Sequence, residues 1–430
     1  MFSALLKTVI RTGSLTIIDG SGRPHLIGDG SPPEVVVRIN GRSTDWRLAV
    51  NPALSIGEAY MDGALTIDSG SLYDFIDILA RNMNNLGNNA WLALLARMRR
   101  SLKQHNPLAK ARRNVASHYD LSGQLYDLFL DHDHNYSCAY FSGPDDSLEQ
   151  AQENKKNHIA AKLILDRPGL RVLDIGSGWG GLALHLARNT GAQVTGITLS
   201  VEQHAVSQQR AAAAGLSDRV QFHLRDYRAE TGLYDRIVSV GMFEHVGKRN
   251  YADFFTMIDR VLMPDGIALI HTIGDVGVPG AINPFIRKHI FPGADTPSLS
   301  ELFGTVEASG LFATDLEILR LHYAETLRHW RHRVSLNRNE IIDLYDERFF
   351  RMWEFYLTLC EIGFRRMTNV VFQLQLARNW ERVPITRDYM VDTERKYAAR
   401  VPAVDTSNLI NHASDLKSSH PARTGIITQS

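Results

Sequence analysis

The stretch Arg171–Gly181, RVLDIGSGWGG, constrains the fold of this 430-residue chain more than any other. An apolar run of strand length enters a glycine turn, and a helical pattern begins at once. Glycines let a backbone approach a ligand closely, and a helix N-terminus offers it free N–H groups. Gly176, Gly178 and Gly181 satisfy the spacing G-x-G-x-x-G, with Gly180 in the same turn. Taken alone, that spacing suits a nicotinamide or flavin dinucleotide equally well.

The turn belongs to a longer alternation. RVLDIG, AQVTGITLS, VQFHLRD, YDRIVSVG and GIALIHTIG read as buried strands, with helical stretches such as GLALHLARN, EQHAVSQQRAAAAG and YADFFTMIDRVLM between them. This pattern predicts an α/β fold, a mostly parallel sheet with helices on both faces. A helical insertion over about 320–380 is expected after the fifth strand. Ahead of the α/β region, short β-like runs (SLTIID, HLIG, EVVVRIN) and two helical patterns (SIGEAYMDG, SLYDFIDILA) predict a smaller α+β domain. The expected boundaries are 1–95 for that domain, 96–115 for a connector, 116–400 for the α/β domain and 401–430 for a polar tail. The start, MFSALLKTVIRTG, reads as a buried terminal helix rather than a signal peptide.

Two features separate the ligand classes. Asp174 stands two residues before the first glycine, where a carboxylate would repel a pyrophosphate but reach a cofactor's polar end. Dinucleotide sites also want an acid about 20 residues on, for the ribose hydroxyls. Here the second strand ends Gly196-Ile197-Thr198-Leu199-Ser200, without one. Asp226, at the end of the third strand, is positioned for an adenine amino group, the alternative being a surface carboxylate. This pattern fits S-adenosylmethionine better than a nicotinamide cofactor.

Composition narrows the partners. Lys+Arg and Asp+Glu both number 47, which argues against a dedicated nucleic-acid binder. Cys138 and Cys360 are the two cysteines, too few for a disulfide framework or a cysteine zinc site, and reduced thiols in the cytoplasm fit best. The histidines, His132 and His134 included, have no further ligands at metal-binding spacing, so no metal is expected. No apolar run is long enough for a membrane span. Seven Lys/Arg and no acid lie between Arg97 and Arg113: either a solvated linker or a patch for anionic headgroups.

With HYDLSGQLYDLFLD, YSCAYF, VLDIGSGWGG, the TLS…Q segment, YDRIVSVGMFEHVG and LIHTIG all present, the chain resembles the cyclopropane-fatty-acyl-phospholipid synthases and the related mycolic acid cyclopropane synthases. The likeness covers roughly residues 50–385, and SIGEAYMDG resembles the phospholipid-acting members. It implies a class I S-adenosylmethionine methyltransferase, Rossmann-like, that adds a methylene to the cis double bond of an unsaturated phospholipid acyl chain. It implies contacts to the cofactor from Tyr136, Ser137, the glycine turn, Thr198, Leu199, Gln203, Asp226 and Tyr227. Thr198 and Gln203 would replace the usual ribose-binding acid. Ser177 stands where the family often has Cys. A bicarbonate ion would serve as base, held by Cys138, Glu244, His271, Tyr323 and the backbone of Ile273. A homodimer, cytoplasmic and peripheral on the inner membrane face, is implied as well.

The inferred chemistry needs a site that holds a carbocation, supplies a base and excludes water. Glu244 follows the fourth strand and His271 ends the fifth, both at the carboxyl edge of the sheet, where ligands bind in open α/β folds. Read without the resemblance, packing roles suit His271 and Tyr323 better than catalytic ones. Cys360, within YLTLCEIGF, matches a cysteine proposed as a nucleophile in the family, but its apolar setting suits a pocket-lining thiol. RFFRMWEFY, residues 348–356, reads as a core helix whose rings also suit an acyl tunnel, and NPFIRKHIFPG, residues 283–293, as a loop near the mouth. Two other outcomes are weighed: a methyl- or methylene-branched lipid product, and a non-catalytic lipid or nucleotide binder.

Overall fold

The computed structural model describes residues 1–83, 122–277, 279–280 and 282–399. The basic run Arg97–Arg113 and the tail 401–430 lie outside the described residues.

The chain opens with helix α1 (Phe2–Val9), which buries Phe2, Leu6 and Val9. Strands β1 (Ser14–Ile18), β2 (Pro24–Gly28), β3 (Glu34–Ile39) and β4 (Leu65–Ser69) form a four-stranded sheet in the order β2-β1-β3-β4. Helices α2 (Arg42–Val50) and α3 (Pro52–Met61) connect β3 to β4, and α4 (Leu72–Arg81) follows. The alternation of Val35, Val37 and Ile39 inward with exposed Glu34 and Arg38 is the period-2 signature that predicted β3.

After α5 (Gly123–Phe129) and α6 (Leu148–Lys162) comes the larger sheet. Its first five strands alternate with helices: β5 (Arg171–Ile175), α7 (Gly181–Thr190), β6 (Gln193–Thr198), α8 (Val201–Ala213), β7 (Val220–Leu224), β8 (Tyr234–Val240), α9 (Tyr251–Val261) and β9 (Leu262–Asp275). Then follow α10 (Leu299–Glu307), β10 (Phe312–Ile318), α11 (Arg320–Leu336), α12 (Arg338–Leu344), α13 (Glu347–Arg366), β11 (Asn369–Ala377) and α14 (Asp388–Ala398). The strand order is β10-β11-β9-β8-β5-β6-β7. Strands β5 to β9 run parallel to one another, and β11 is antiparallel to both β9 and β10. Two buried clusters cover the faces of the sheet, one around Phe243, Phe254 and Phe372, the other around Leu170, Leu186 and Phe222.

Two expectations need correction. The helical segment does not follow the fifth strand directly: α10 and β10 intervene. It also ends at Arg366, and β11 occupies residues expected to be helical up to 380. The run VVFQLQLA is buried along its whole length, so it lacks the alternation that marks a half-exposed strand.

The small sheet does not keep its core to itself. One buried cluster runs from Phe2, Leu15 and Val37 through Phe355 and Tyr356 to Tyr323 and Cys138. Within α3 a Cβ on Gly57 would meet the Phe285 ring at 2.4 Å. Glu58 beside it pairs with Lys288 (2.5 Å), His289 (3.1 Å) and Arg47 (3.2 Å). Among the described residues no helix is long and apolar enough to cross a membrane.

Candidate active site

The strand order reverses at β5, whose neighbours are β6 and β8. Crevices outside the carboxyl ends of the strands at such a switch point are where open α/β sheets bind ligands. A cavity of about 900 Å³ opens there. Gly176 and Ser177 donate their N–H groups to Ile197 O (2.9 and 3.0 Å), which stitches the glycine turn to β6. Gly176 has φ +81°, and a Cβ there would meet Met242 at 2.9 Å. Gly178, at φ +53°, faces open space, so the backbone is bare toward the cavity.

Ten of the eleven residues expected to contact the cofactor line this cavity: Tyr136, Ser137, Asp174, Gly176, Gly178, Thr198, Leu199, Gln203, Asp226 and Tyr227. Gly180 is the exception. It turns inward at φ +84° against Phe222 and Ser207, and Gly181 lines the cavity instead. Thr198 donates to Gln203 Oε1 (2.9 Å), which leaves the glutamine's Nε2 as a donor for a ligand. Asp226 holds Arg228 through both carboxylate oxygens (2.8 and 2.5 Å), so a ligand amino group there would share it with the guanidinium. Tyr227 packs edge-on to Phe254, and burial pushes its hydroxyl up to about 12.

The donor set fits S-adenosylmethionine. Asp174 and Ser177 each line the cavity with a buried oxygen, Oδ2 and Oγ, that has no partner among the described residues. Burial pushes the Asp174 carboxyl up to about 7. Buried polar groups are nearly always satisfied, so these two mark where a ligand completes the bonding.

The residues expected to do the chemistry lie behind the cavity wall, and none of Cys138, Glu244, His271, Ile273, Tyr323 and Cys360 lines it. Glu244 Oε1 accepts the Ile273 N–H at 2.6 Å. Its Oε2 is buried without a partner, and burial raises the carboxyl to about 7. His271 and Ile273 share one face of β9 by their i, i+2 spacing. His271 Nδ1 lies 3.1 Å from Gln373 Nε2, and burial holds the ring well below its ordinary pKa. Burial raises both thiols, Cys360 to about 12. The Tyr136 and Tyr356 hydroxyls meet at 2.7 Å, and Tyr323 and Cys360 stand close enough to raise both phenols further. Tyr136 also stacks on Trp330 at 5.1 Å.

Of the five aromatics in RFFRMWEFY none reaches the cavity, but Tyr356 touches Tyr136, and Phe349 and Trp353 stack behind it. Arg287, Pro292 and Gly293 of the loop 283–293, with Ile282 just before it, do line the cavity, around a π-helical turn at Ile286–Ile290.

Several lining residues escaped sequence reasoning: Asp133, Asn135, Lys155, Trp179 and His245. Lys155 is the least legible. It sits in α6, whose sequence LEQAQENKKNHIAAK reads as solvent-facing, yet Gln152, Lys155, Lys156 and His158 are all buried. Nothing in a single sequence separates such a helix from a surface one.

A seven-stranded sheet with its last strand antiparallel, a glycine turn at the switch point and unpartnered polar groups in the cavity define a class I S-adenosylmethionine-dependent methyltransferase. The solved mycolic acid cyclopropane synthase CmaA1, complexed with SAH and CTAB, superposes on 64% of this chain and 99% of its own with a TM-score of 0.59 and 34% identity. Residues 106–374 match the family model for mycolic acid cyclopropane synthetase, and the chain belongs to that family. It is 37% identical to the cyclopropane-fatty-acyl-phospholipid synthase of Escherichia coli strain K12, over 82% of this chain and 90% of that one. It is also 37% identical to the tuberculostearic acid methyltransferase UfaA1 of Mycobacterium tuberculosis, over 77% and 80% of the respective chains.

Proposed function

We propose that this enzyme converts cis double bonds in the acyl chains of membrane phospholipids to cyclopropane rings. The observation that carries the proposal is the layering of the site. A polar cavity for the cofactor is backed by a dry layer in which a half-satisfied carboxyl, Glu244, a neutral histidine, His271, and neutral phenols lie beside packed aromatic rings.

When bound, S-adenosylmethionine supplies an electrophilic sulfonium methyl. Transfer of that methyl to the alkene π electrons would form the new C–C bond and leave sulfur with the S–CH₃ electron pair. Positive charge develops on the other alkene carbon. The faces of Tyr136, Tyr356, Trp330 and Tyr323 would stabilise it, each by about 2 kcal/mol when desolvated. Protonated Cys138 and Cys360 offer no thiolate to trap the cation, and the burial of this layer excludes water. A C–H bond of the transferred methyl then breaks, its pair closes the ring, and the proton leaves to a base. A bicarbonate ion held by Cys138, Glu244, His271, Tyr323 and the Ile273 backbone would supply that base. The unpartnered Glu244 Oε2 and Gln373 Oε1 fit a small hydrogen-bonding guest there. The lipid is drawn from the bilayer by peripheral docking of the first domain.

A second outcome, a methyl- or methylene-branched chain, shares every step up to the cation and is favoured by the likeness to a tuberculostearic acid methyltransferase. Lipid analysis separates the two. The protein is expressed in a bacterium lacking cyclopropane lipids, and its fatty methyl esters are examined by mass spectrometry. Chains heavier by one methylene that resist mild hydrogenation and open in acid establish the ring. The same mass on a branched chain that is sensitive to hydrogenation establishes the second outcome. With S-adenosylhomocysteine binding intact, no mass shift would withdraw the phospholipid substrate.

A further inference from the structure

Lys155 lies on α6 against the cavity and is 2% exposed. Its Nζ donates to Ser137 Oγ (2.9 Å) and Asn135 Oδ1 (3.2 Å). Both acceptors are neutral, and among the described residues no carboxylate is within ion-pair distance of Nζ. The other buried lysines of the same helix differ: Lys156 pairs with Asp133 and Glu153, and Lys162 with Glu317 and Asp315. Asp131 and Asp133 act on the amine through space without touching it, and Asp131 also holds the backbone N–H (2.8 Å) and Nδ2 (2.7 Å) of Asn135.

An ammonium has three donors, and two are used here. An isolated buried charge is costly, so it is kept where something completes it. Burial lowers the Lys155 amine to about 8, which still leaves it mostly charged at neutral pH. The side chain stands within electrostatic reach of Asp174 on the cavity side and of Cys138 and His271 behind the wall. Ser137 accepts from Lys155, so its own hydroxyl proton is free to donate onward.

We propose that Lys155, with the Ser137 hydroxyl it orients, binds a planar carboxylate-type oxyanion at the junction of the cofactor cavity and the buried layer. Two sources share that chemistry: the amino-acid carboxylate of the cofactor, and bicarbonate. The inference rests on the cofactor assignment above. The unpartnered Asp174 Oδ2 on the same wall would take the ammonium of the same zwitterion.

The test uses the full-length protein, with Lys155→Met and with Lys155→Gln, which keeps hydrogen-bonding capacity but not charge, as the second variant should the first not fold. Calorimetry compares S-adenosylhomocysteine with 5′-methylthioadenosine, which lacks the amino-acid end. If the cofactor carboxylate is the ligand, the variant binds the former about tenfold or more weakly, roughly the effect of removing one charge-assisted bond, and the latter unchanged. If bicarbonate is the ligand, both nucleosides bind as in the wild type, while the bicarbonate concentration for half-maximal turnover in carbonate-depleted buffer rises about tenfold. A folded variant unchanged in both measurements overturns the proposal. Failure of the wild type to bind either nucleoside overturns the cofactor assignment, and the inference with it.

Discussion

Glu244 gives one carboxyl oxygen to the backbone N–H of Ile273, at 2.6 Å, and keeps the other buried without a partner. The bond ties the turn after β8 to the end of β9, and the idle oxygen leaves the acid half-satisfied in a dry layer. Its pKa rises from an ordinary 4.5 to about 7, and that of Asp174 from 3.8 to about 7.

The sign of the resulting pH effect follows from proton counting. Between about pH 5 and 7 the folded chain holds protons on these two groups that the unfolded chain has released. Stability therefore falls as pH rises through this window, by up to about 1.4 kcal/mol per pH unit for each group. Thermal melting of the ligand-free protein should show a shallower decline in Glu244→Gln, and a shallower one still when Asp174→Asn is added. Parallel profiles for wild type and variants would refute the raised values.

The glycine turn predicts two different defects. Gly176→Ala forces a Cβ to within 2.9 Å of Met242 at positive φ, so the apo protein should lose about 1–3 kcal/mol. Gly178→Ala meets nothing in the protein and should cost about 1 kcal/mol of stability. Its methyl group projects toward the ligand, and S-adenosylhomocysteine affinity should drop in excess of the stability loss. Denaturant melts and calorimetry on both variants check this, and equal binding losses would count against it.

Cys360 should prove dispensable as a nucleophile. With its thiol pushed to about 12 it stays protonated at neutral pH. Cys360→Ala is expected to keep kcat within about threefold, and iodoacetamide to alkylate the native thiol far more slowly than a free cysteine. Loss of turnover by orders of magnitude with a preserved fold would reinstate covalent catalysis.

The contact at Gly57 and Glu58 predicts a separation of lipid use from cofactor use. Gly57→Val drives a side chain into the Phe285 and Phe355 rings, and Glu58→Ala strips Lys288 and His289 of their shared carboxylate. Both act on the segment that carries Arg287, Pro292 and Gly293 into the cavity wall. KM for vesicle substrate should rise several-fold, the effect of about 1–2 kcal/mol of lost packing, and by more than S-adenosylhomocysteine affinity falls. A matching loss in both quantities would mean general unfolding instead.

How much of this was legible in advance depended on how local each signal is. The glycine turn, Asp174 before it, Thr198 and Gln203 after β6 and Asp226 after β7 lie at strand ends that apolar runs announce. Their arrival at one cavity follows from parallel strands sharing a carboxyl edge. Strand β11 was hidden because a strand buried along its whole length has no polar alternation to display. Gly180 was misplaced because two adjacent glycines do not say which one turns inward.

The amino-acid sequence by itself determined the α/β alternation, the cofactor class and the chemical types of the acid, histidine, thiols and phenols. Those are properties of residue identity and short-range spacing. The tertiary structure alone decided that Glu244, His271 and Tyr323 sit behind the cavity rather than in it, that the first sheet shares its core with α13, and that Lys155 is buried with no ion-pair partner among the described residues. Burial and charge pairing depend on what other segments bring to the same volume, and no local pattern in the chain carries that information.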